Sequence, residues 1–312
     1  MISCNATLVV VMTFVVAAGG TLSADTIAYW KFENDLLDAS GHGNHAVATG
    51  TSYSGDVFDS PVPGTGSTNT ASLALPNPIN FPPPALNAGH YLEVADDPSL
   101  DFTAGSFTIE AWVWIDQTGN NPMRQYLLQK KNRSLGDATS AFIFLPKAGN
   151  LADSSNQHVM ALGLPDGTSS NMIFSSLGVL APDDDSWHYM SVAVNRANGD
   201  VRFVLDDQVD LQPGAALGMA FDGNDNNETL YIGAHPTTAN SSFPDGANHG
   251  LTGGIDELRI SNVYLSEAEL LVVPEPDSIF LGALGMLSLV VLVWRRRAEV
   301  QRQKSQSGEV RC

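Results

Sequence analysis

Acidic side chains are the commonest chemistry-bearing groups in this 312-residue chain, 34 Asp and Glu against 15 Lys and Arg. Most are Asp set among Gly and Asn, as in Asp38 to His45 and Asp222 to Glu228. Short Asp and Asn side chains in such turns either solvate the loop or offer oxygens to a hard cation. Asp222-Gly223-Asn224-Asp225-Asn226-Asn227-Glu228 looks chelating but departs from the EF-hand pattern. Asn227 stands at the sixth position instead of Gly, and Gly233 at the twelfth instead of Glu. It reads as a solvated turn. The histidines show no His-Glu-x-x-His or other zinc spacing, and no Gly-x-Ser-x-Gly elbow occurs. His42 and His45 read as turn residues. No residue pattern supplies an active site.

Charge narrows the partners. Between Asp25 and Val273, nine Lys and Arg face thirty Asp and Glu, a net −21 against −19 for the whole chain. Such a surface repels phosphates, so nucleic acid is excluded as a natural partner. Solubility alone accounts for the excess equally well.

A second group of residues carries chemistry in its order. Val273-Pro274-Glu275-Pro276-Asp277-Ser278 leads into the apolar run Ile279 to Trp294, which Arg295-Arg296-Arg297 closes. A bilayer core of about 30 Å asks for roughly 17–25 apolar residues, so the run is slightly short. Guanidinium groups cost several kcal/mol in hydrocarbon, which keeps the arginines cytoplasmic and the preceding chain outside. Pro274 and Pro276 donate no backbone hydrogen bond and disfavour helix before them, leaving Glu275 on an extended segment. A single-pass anchor is one reading. The order Pro-Glu-Pro, apolar helix, Arg cluster also resembles the PEP-CTERM sorting signal of bacterial exported proteins, over Val273 to Arg297. That resemblance implies processing by a membrane-embedded exosortase and delivery towards the cell surface or exopolysaccharide. Family tails usually stop just after the basic cluster, whereas this chain continues to Cys312.

The other end agrees. Leu8 to Ala18 is an apolar core of signal-peptide length, followed by small residues and a cut after Ala24. Only the free amino terminus supplies positive charge before it. The expected organisation is a signal peptide at 1–24, one domain at 25–272, and a sorting segment at 273–297 with a transmembrane helix at 279–294. A cytoplasmic tail follows at 298–312. Cys4 and Cys312 both fall outside the expected domain, which therefore carries no disulfide. At about 250 residues such a domain buries roughly three quarters of its surface, enough for a sizeable core.

Beta signals dominate from Thr26 to Ser261. Phe107 to Ile115 is the clearest strand, with Phe107, Ile109, Ala111, Val113 and Ile115 on one face and Trp112 and Trp114 on the other. Trp112, Trp114 and Trp187 read as core residues rather than sugar platforms. Ser191 to Ala197 and Val201 to Leu205 flank Asn198-Gly199, the expected two-residue hairpin turn. Further strands are expected at 26–33, 71–75, 91–94, 125–130, 141–145, 159–164, 172–174, 230–233 and 254–261. One short helical turn follows Ser266, where Glu269 completes a capping box. Many short strands and almost no helix argue for an all-β sandwich or jelly roll. Pro76 to Gly89 reads as a stiff loop.

Four blocks then fall in a recognisable order. They are Tyr29-Trp30-Lys31-Phe32-Glu33 with Asp38 to His45; Tyr91 to Val94 with Ser106 to Val113; Trp187-His188-Tyr189 through Asp207; and Leu230 to Gly233 with Gly254 to Ile260 and Leu265 to Leu270. Together they resemble the laminin-G-like, concanavalin A-like lectin/glucanase superfamily. The resemblance implies a jelly-roll β-sandwich of two antiparallel sheets with first and last strands adjacent, bringing Glu33 and the Asp38 turn near Asp256. It also implies one structural calcium there, with Asp256 as the leading ligand, then Asp38 and Asn44, then Glu33. Asp38 could equally cap its own turn, and Glu33 could pair with Arg259. Glycosidases of the superfamily place paired carboxylates as Glu-x-Asp-x-x-Glu, and no such run occurs. The expected function is noncatalytic carbohydrate binding or adhesion at the cell surface, with extracellular polysaccharide or glycan as partner. A structural matrix protein and a glycosidase are the alternatives.

Overall fold

The structure, a computed structural model, describes residues 26–76, 90–102, 105–116, 125–130, 142–145, 159–166, 169, 171–178, 186–219, 227–234 and 250–272. The expected signal peptide, most of the proline-rich loop, Asp222 to Asn226 and the sorting segment lie outside the described residues. Fifteen strands lie within them: β1 (Thr26–Trp30), β2 (Ala46–Thr49), β3 (Ser52–Ser54), β4 (Ser72–Pro76), β5 (Tyr91–Val94), β6 (Phe107–Ile115), β7 (Leu128–Lys130), β8 (Phe142–Leu145), β9 (Val159–Gly163), β10 (Met172–Gly178), β11 (Trp187–Asn195), β12 (Asp200–Leu205), β13 (Gln208–Gln212), β14 (Leu230–Ile232) and β15 (Thr252–Ser261). Eight form one sheet in the order β13-β12-β11-β6-β15-β4-β3, with β1 also paired to β15. Seven form the other, in the order β10-β9-β8-β7-β14-β5-β2.

Period-two alternation explains how the sheets meet. The buried core takes Phe107, Ile109, Ala111, Val113 and Ile115 from β6, Met190, Val192 and Val194 from β11, and Leu92, Leu128, Phe144 and Leu162 from the facing sheet. Trp30 is wholly buried there, and its Nε1 donates to the Asn44 carbonyl at 2.9 Å, so the ring brings no unpaired polar atom into the core. First and last strands pair as expected, Tyr29 opposite Arg259 and Trp30 opposite Leu258.

β2, β3 and β13 were not expected from the sequence. Each is the terminal strand of its sheet and mostly exposed; β2 and β3 are too short to show an apolar period, and β13 alternates at Val209 and Leu211 but leaves both exposed. The β11–β12 connection also differs from a two-residue turn. Asn195 pairs with Asp200, so the loop spans 196–199, and of Asn198 and Gly199 only Gly199 takes a positive φ, +74°. The Ser106 hydroxyl accepts the Arg196 amide at 3.0 Å, which takes that residue out of the ladder. The turn after Ser266 is a 3-10 helix, Glu267–Glu269, with the expected capping box.

One buried charge ties the core sheet to a loop. Lys130 is fully buried, and its Nζ lies 2.7 Å from Asp96 and within hydrogen-bonding reach of Asp101. Replacing Lys130 by Met leaves two partly exposed carboxylates without their cation. We expect a loss of about 3 kcal/mol in urea unfolding, the lower end for a broken buried pair. A loss under about 1 kcal/mol would contradict that role.

Candidate functional site

The side chains facing away from the core on the eight-stranded sheet form a second layer with its own chemistry. On β6 these are Glu110, Trp112 and Trp114. Opposite them stand Ser191, Tyr189 and Trp187 on β11, and Arg259, Asp256 and Gly254 on β15. The three tryptophans therefore lie on the outer face, not between the sheets as their size suggests. Trp112 stacks on Phe58 with centroids 4.1 Å apart and meets Tyr189 edge-on. Trp187 reaches across β6, its ring 2.8 Å from where a Cβ on Gly254 would sit.

Glu110 is the electrostatic centre of this layer. It is wholly buried, and its Oε1 accepts Arg259 Nε at 2.6 Å. Its Oε2 accepts the Tyr189 hydroxyl and, at 2.8 Å, the Leu271 amide. Burial lowers the acidity of the Tyr189 phenol and the Glu110 charge adds to that, so Tyr189 stays a neutral donor. Burial disfavours the Arg259 charge, but the Glu110 carboxylate outweighs it and holds the guanidinium protonated.

The chain from Val263 to Leu271 lies across this face as a strap. Thr108 Oγ1 donates to the Val263 carbonyl at 2.8 Å and accepts the Leu265 amide at 3.0 Å. Arg202 donates to the Leu265 carbonyl, and Arg259 to that of Glu269, both at 2.6 Å. Leu265, Leu270 and Leu271 bury against Tyr29, Tyr189 and Val204. The Leu271 carbonyl takes the Gly64 amide at 2.8 Å, and a Cβ on Gly64 would lie 2.6 Å from Leu271 Cα.

A β-bulge shapes the neighbouring corner. On β15 the register shifts between Asp256 and Arg259, and Glu257 takes φ +49°, an uncommon conformation for a side chain of its size. The extra residue keeps Glu257 out of the core while Ile255 and Leu258 enter it. Asp256 accepts Asn69 Nδ2 at 2.8 Å and the Glu257 amide at 3.0 Å, and the Glu257 carboxylate accepts the Tyr29 hydroxyl. Burial, with the Glu257 charge beside it, pushes Asp256 up to about 8. Burial likewise pushes Glu257 up to about 7, against the pull of the Tyr29 hydrogen bond and Lys31. Asn69 Oδ1 and Glu257 Oε1 are buried and accept no hydrogen bond.

The four residues expected around a calcium ion fall into two pairs. Asp38 and Asn44 belong to one. Asp38 accepts the amides of Tyr29 (2.9 Å), Ser40 (2.8 Å) and Asn44 (3.0 Å) and the Ser40 hydroxyl (2.8 Å). Burial raises its pKa, but those hydrogen bonds win and hold it below the usual carboxylate value. The Asn44 amide donates to the Ile27 carbonyl and Ser99 Oγ. The Asp38 carboxylate is committed to the turn and to β1, the Asn44 side chain ties the turn to β1 and Ser99, and His45 Nδ1 accepts the Asp38 amide. Glu33 and Asp256 reach the consecutive residues Thr70 and Asn69. Glu33 does not pair with Arg259, whose partner is Glu110. Among the described residues no three His, Cys, Asp or Glu side chains gather to hold a metal. The two buried oxygens that accept no hydrogen bond, Asn69 Oδ1 and Glu257 Oε1, lie at the Asp256 corner and not at the Asp38 turn. Asn69 and Glu257 were not singled out in the sequence, although Asp256-Glu257 between apolar neighbours breaks the alternation that a regular strand would keep.

Two antiparallel sheets, the first and last described strands side by side and a core between define a jelly-roll sandwich. The chain belongs to the concanavalin A-like lectin/glucanases superfamily, whose pattern matches residues 86–271. The PEP-CTERM protein-sorting motif matches residues 272–297, and so includes Pro274, Glu275, Pro276, Arg295, Arg296 and Arg297. No curated protein matches the chain. Among solved structures, the binding domain of botulinum neurotoxin serotype D is 13% identical, with a TM-score of 0.49, over 81% of this chain and 51% of that one. A structure of botulinum neurotoxin type C, a toxin whose cell entry is dependent upon interaction with two ganglioside molecules, is 14% identical with a TM-score of 0.49, over 80% and 50%. The chain thus spans about half the length of these structures.

Proposed function

We propose that this is an exported protein whose sandwich is a noncatalytic surface domain for carbohydrate binding or adhesion, released from a membrane-held tail by an exosortase-type enzyme. One observation carries the reading. Leu271 is hydrogen-bonded through both its amide and its carbonyl, and the sorting motif begins at the next residue. Domain and address are thus one continuous unit. The signal peptide at 1–24 and the membrane helix at 279–294 are parts of the proposal. No helix among the described residues is long and apolar enough to cross a membrane.

The noncatalytic reading is supported by how the three buried strand-borne acids on β6 and β15 are used. Glu110, Asp256 and Glu257 are wholly buried and bonded to the domain's own groups, so none is placed to meet a glycosidic oxygen. A glycan surface is supported by the outer face of the seven-stranded sheet. Phe174 on β10 is half exposed there, and Tyr91 on β5 is partly exposed, edge-on to the buried Tyr231 at 6.0 Å. Aromatic faces stack against sugar C–H groups while neighbouring polar groups take hydroxyls. Calcium, in this proposal, is held by Asp256, Glu257 and Asn69, with backbone oxygens or water completing its shell.

In the native host, an epitope tag after Cys312 should part from the domain, and Arg295–Arg297→Ala or Pro274→Ala with Pro276→Ala should block that. Both tags on one full-length membrane band would leave a simple anchor. On a glycan array, binding lost in Phe174→Ala supports the lectin reading, and a blank array favours a structural matrix protein. Release of reducing sugar that stays with the wild-type domain through repeated purification would establish a glycosidase instead.

A further inference from the structure

We propose that the strap from Val263 to Leu271 is a folding-dependent guard on the domain's C-terminal boundary. While Glu110 holds the Leu271 amide, no protease can cut within the strap, and tail processing leaves the strap on the domain. The second half of this inference rests on the tail being processed; the first does not.

The guard is built from both sides of the chain. Thr108, Arg202, Arg259 and Glu110 bind the strap from the sheet, and Gly64 closes over its last residue from the loop before β4. A protease must draw about eight residues into an extended conformation to cut them. Doing so here breaks a hydrogen bond at almost every second residue and uncovers the Glu110–Arg259 pair. Glu267 and Glu269 are exposed at the surface of the strap, yet the Glu269 carbonyl is tied to Arg259 and its carboxylate to the Ser266 amide and hydroxyl. They are visible bonds that a glutamyl endopeptidase cannot pull straight. Opening breaks the Leu271–Glu110 and Glu269–Arg259 hydrogen bonds and exposes a buried ion pair to water, so its population is tied to the stability of the domain.

The test uses the full-length chain in detergent with glutamyl endopeptidase, products read by intact mass. We expect cleavage after Glu267 and Glu269 to be at least tenfold slower in the wild type than in Glu110→Gln. Gly64→Ala, which pushes on Leu271 without touching a charge, should accelerate the same cuts and keeps the test open if Glu110→Gln does not fold. The Leu271 amide should also exchange hydrogen at least tenfold more slowly than an unstructured amide. Wild-type cleavage at Glu267 as fast as in Gly64→Ala, or free exchange at Leu271, overturns the guard. In the native host the mature product should end beyond Leu271; a product ending within the strap also overturns it. An uncut chain there counts against tail processing and leaves the protease result standing for the guard.

Discussion

Replacing Glu110 by Ala should destabilise the domain by about 3–5 kcal/mol, the range for removing one member of a buried ion pair. The reason is what stays behind. Arg259 keeps its charge in a site it entered only because Glu110 is 2.6 Å away, and the Tyr189 hydroxyl and the Leu271 amide lose their acceptor. The strap loosens as well, because its final backbone donor is one of those groups. Replacing the pair together, Glu110→Leu with Arg259→Met, should recover part of the loss, since two apolar side chains leave no charge unpaired. The Leu271 amide and the Tyr189 hydroxyl stay unpaired in both, and the double variant also takes the donor from the Glu269 carbonyl, each leaving about 1–3 kcal/mol of the loss in place. Urea unfolding of the wild type, both single variants and the double variant decides this. Additive losses in the double variant would mean the two charges are not coupled.

Stability should fall as pH rises from about 4 to about 8, opposite to the usual course for a protein rich in carboxylates. Asp256 and Glu257 hold their protons to about 8 and about 7 in the folded chain, against 3.8 and 4.5 as ordinary side chains. Folding therefore binds protons in that window, and the stability these groups contribute is complete below the lower values and lost as pH passes the upper ones. In chelator, we expect the urea midpoint at pH 8.5 to lie well below that at pH 5, a difference on the order of 3 kcal/mol. Asp256→Asn keeps the shape without the ionisation and should flatten most of the slope. Calcium binds the ionised form, so at about 100 times its dissociation constant it should return about 2.7 kcal/mol at pH 8.5. A wild type equally stable at both pH values in chelator refutes the protonated pair. A slope that calcium leaves unchanged removes calcium from the corner but not the protons.

The sequence by itself determined the all-β class, the order of most strands and the address at the C-terminal end. Those signals are local. Phe107 to Ile115 is rich in β-branched and aromatic residues whatever surrounds it, and Pro-Glu-Pro, apolar run and Arg cluster lie within one continuous stretch. Ser266 and Glu269 cap a turn three residues apart, so that too was legible. Tertiary structure decided what the polar residues do. Glu110 meets Arg259 and Leu271 across 149 and 161 positions, and Asn69 meets Asp256 across 187. Composition cannot show which of thirty acids will share a face with which of nine bases. The direction of Trp112, Trp114 and Trp187 was written in their alternation, but the cover over Trp112 required Phe58 and the strap to reach a face that would otherwise be open. Asp38 shows the same limit at short range, since only the folded turn aims four donors at its two oxygens. A strand pattern fixes which way a side chain points, whereas its partner is set by what the rest of the chain brings there.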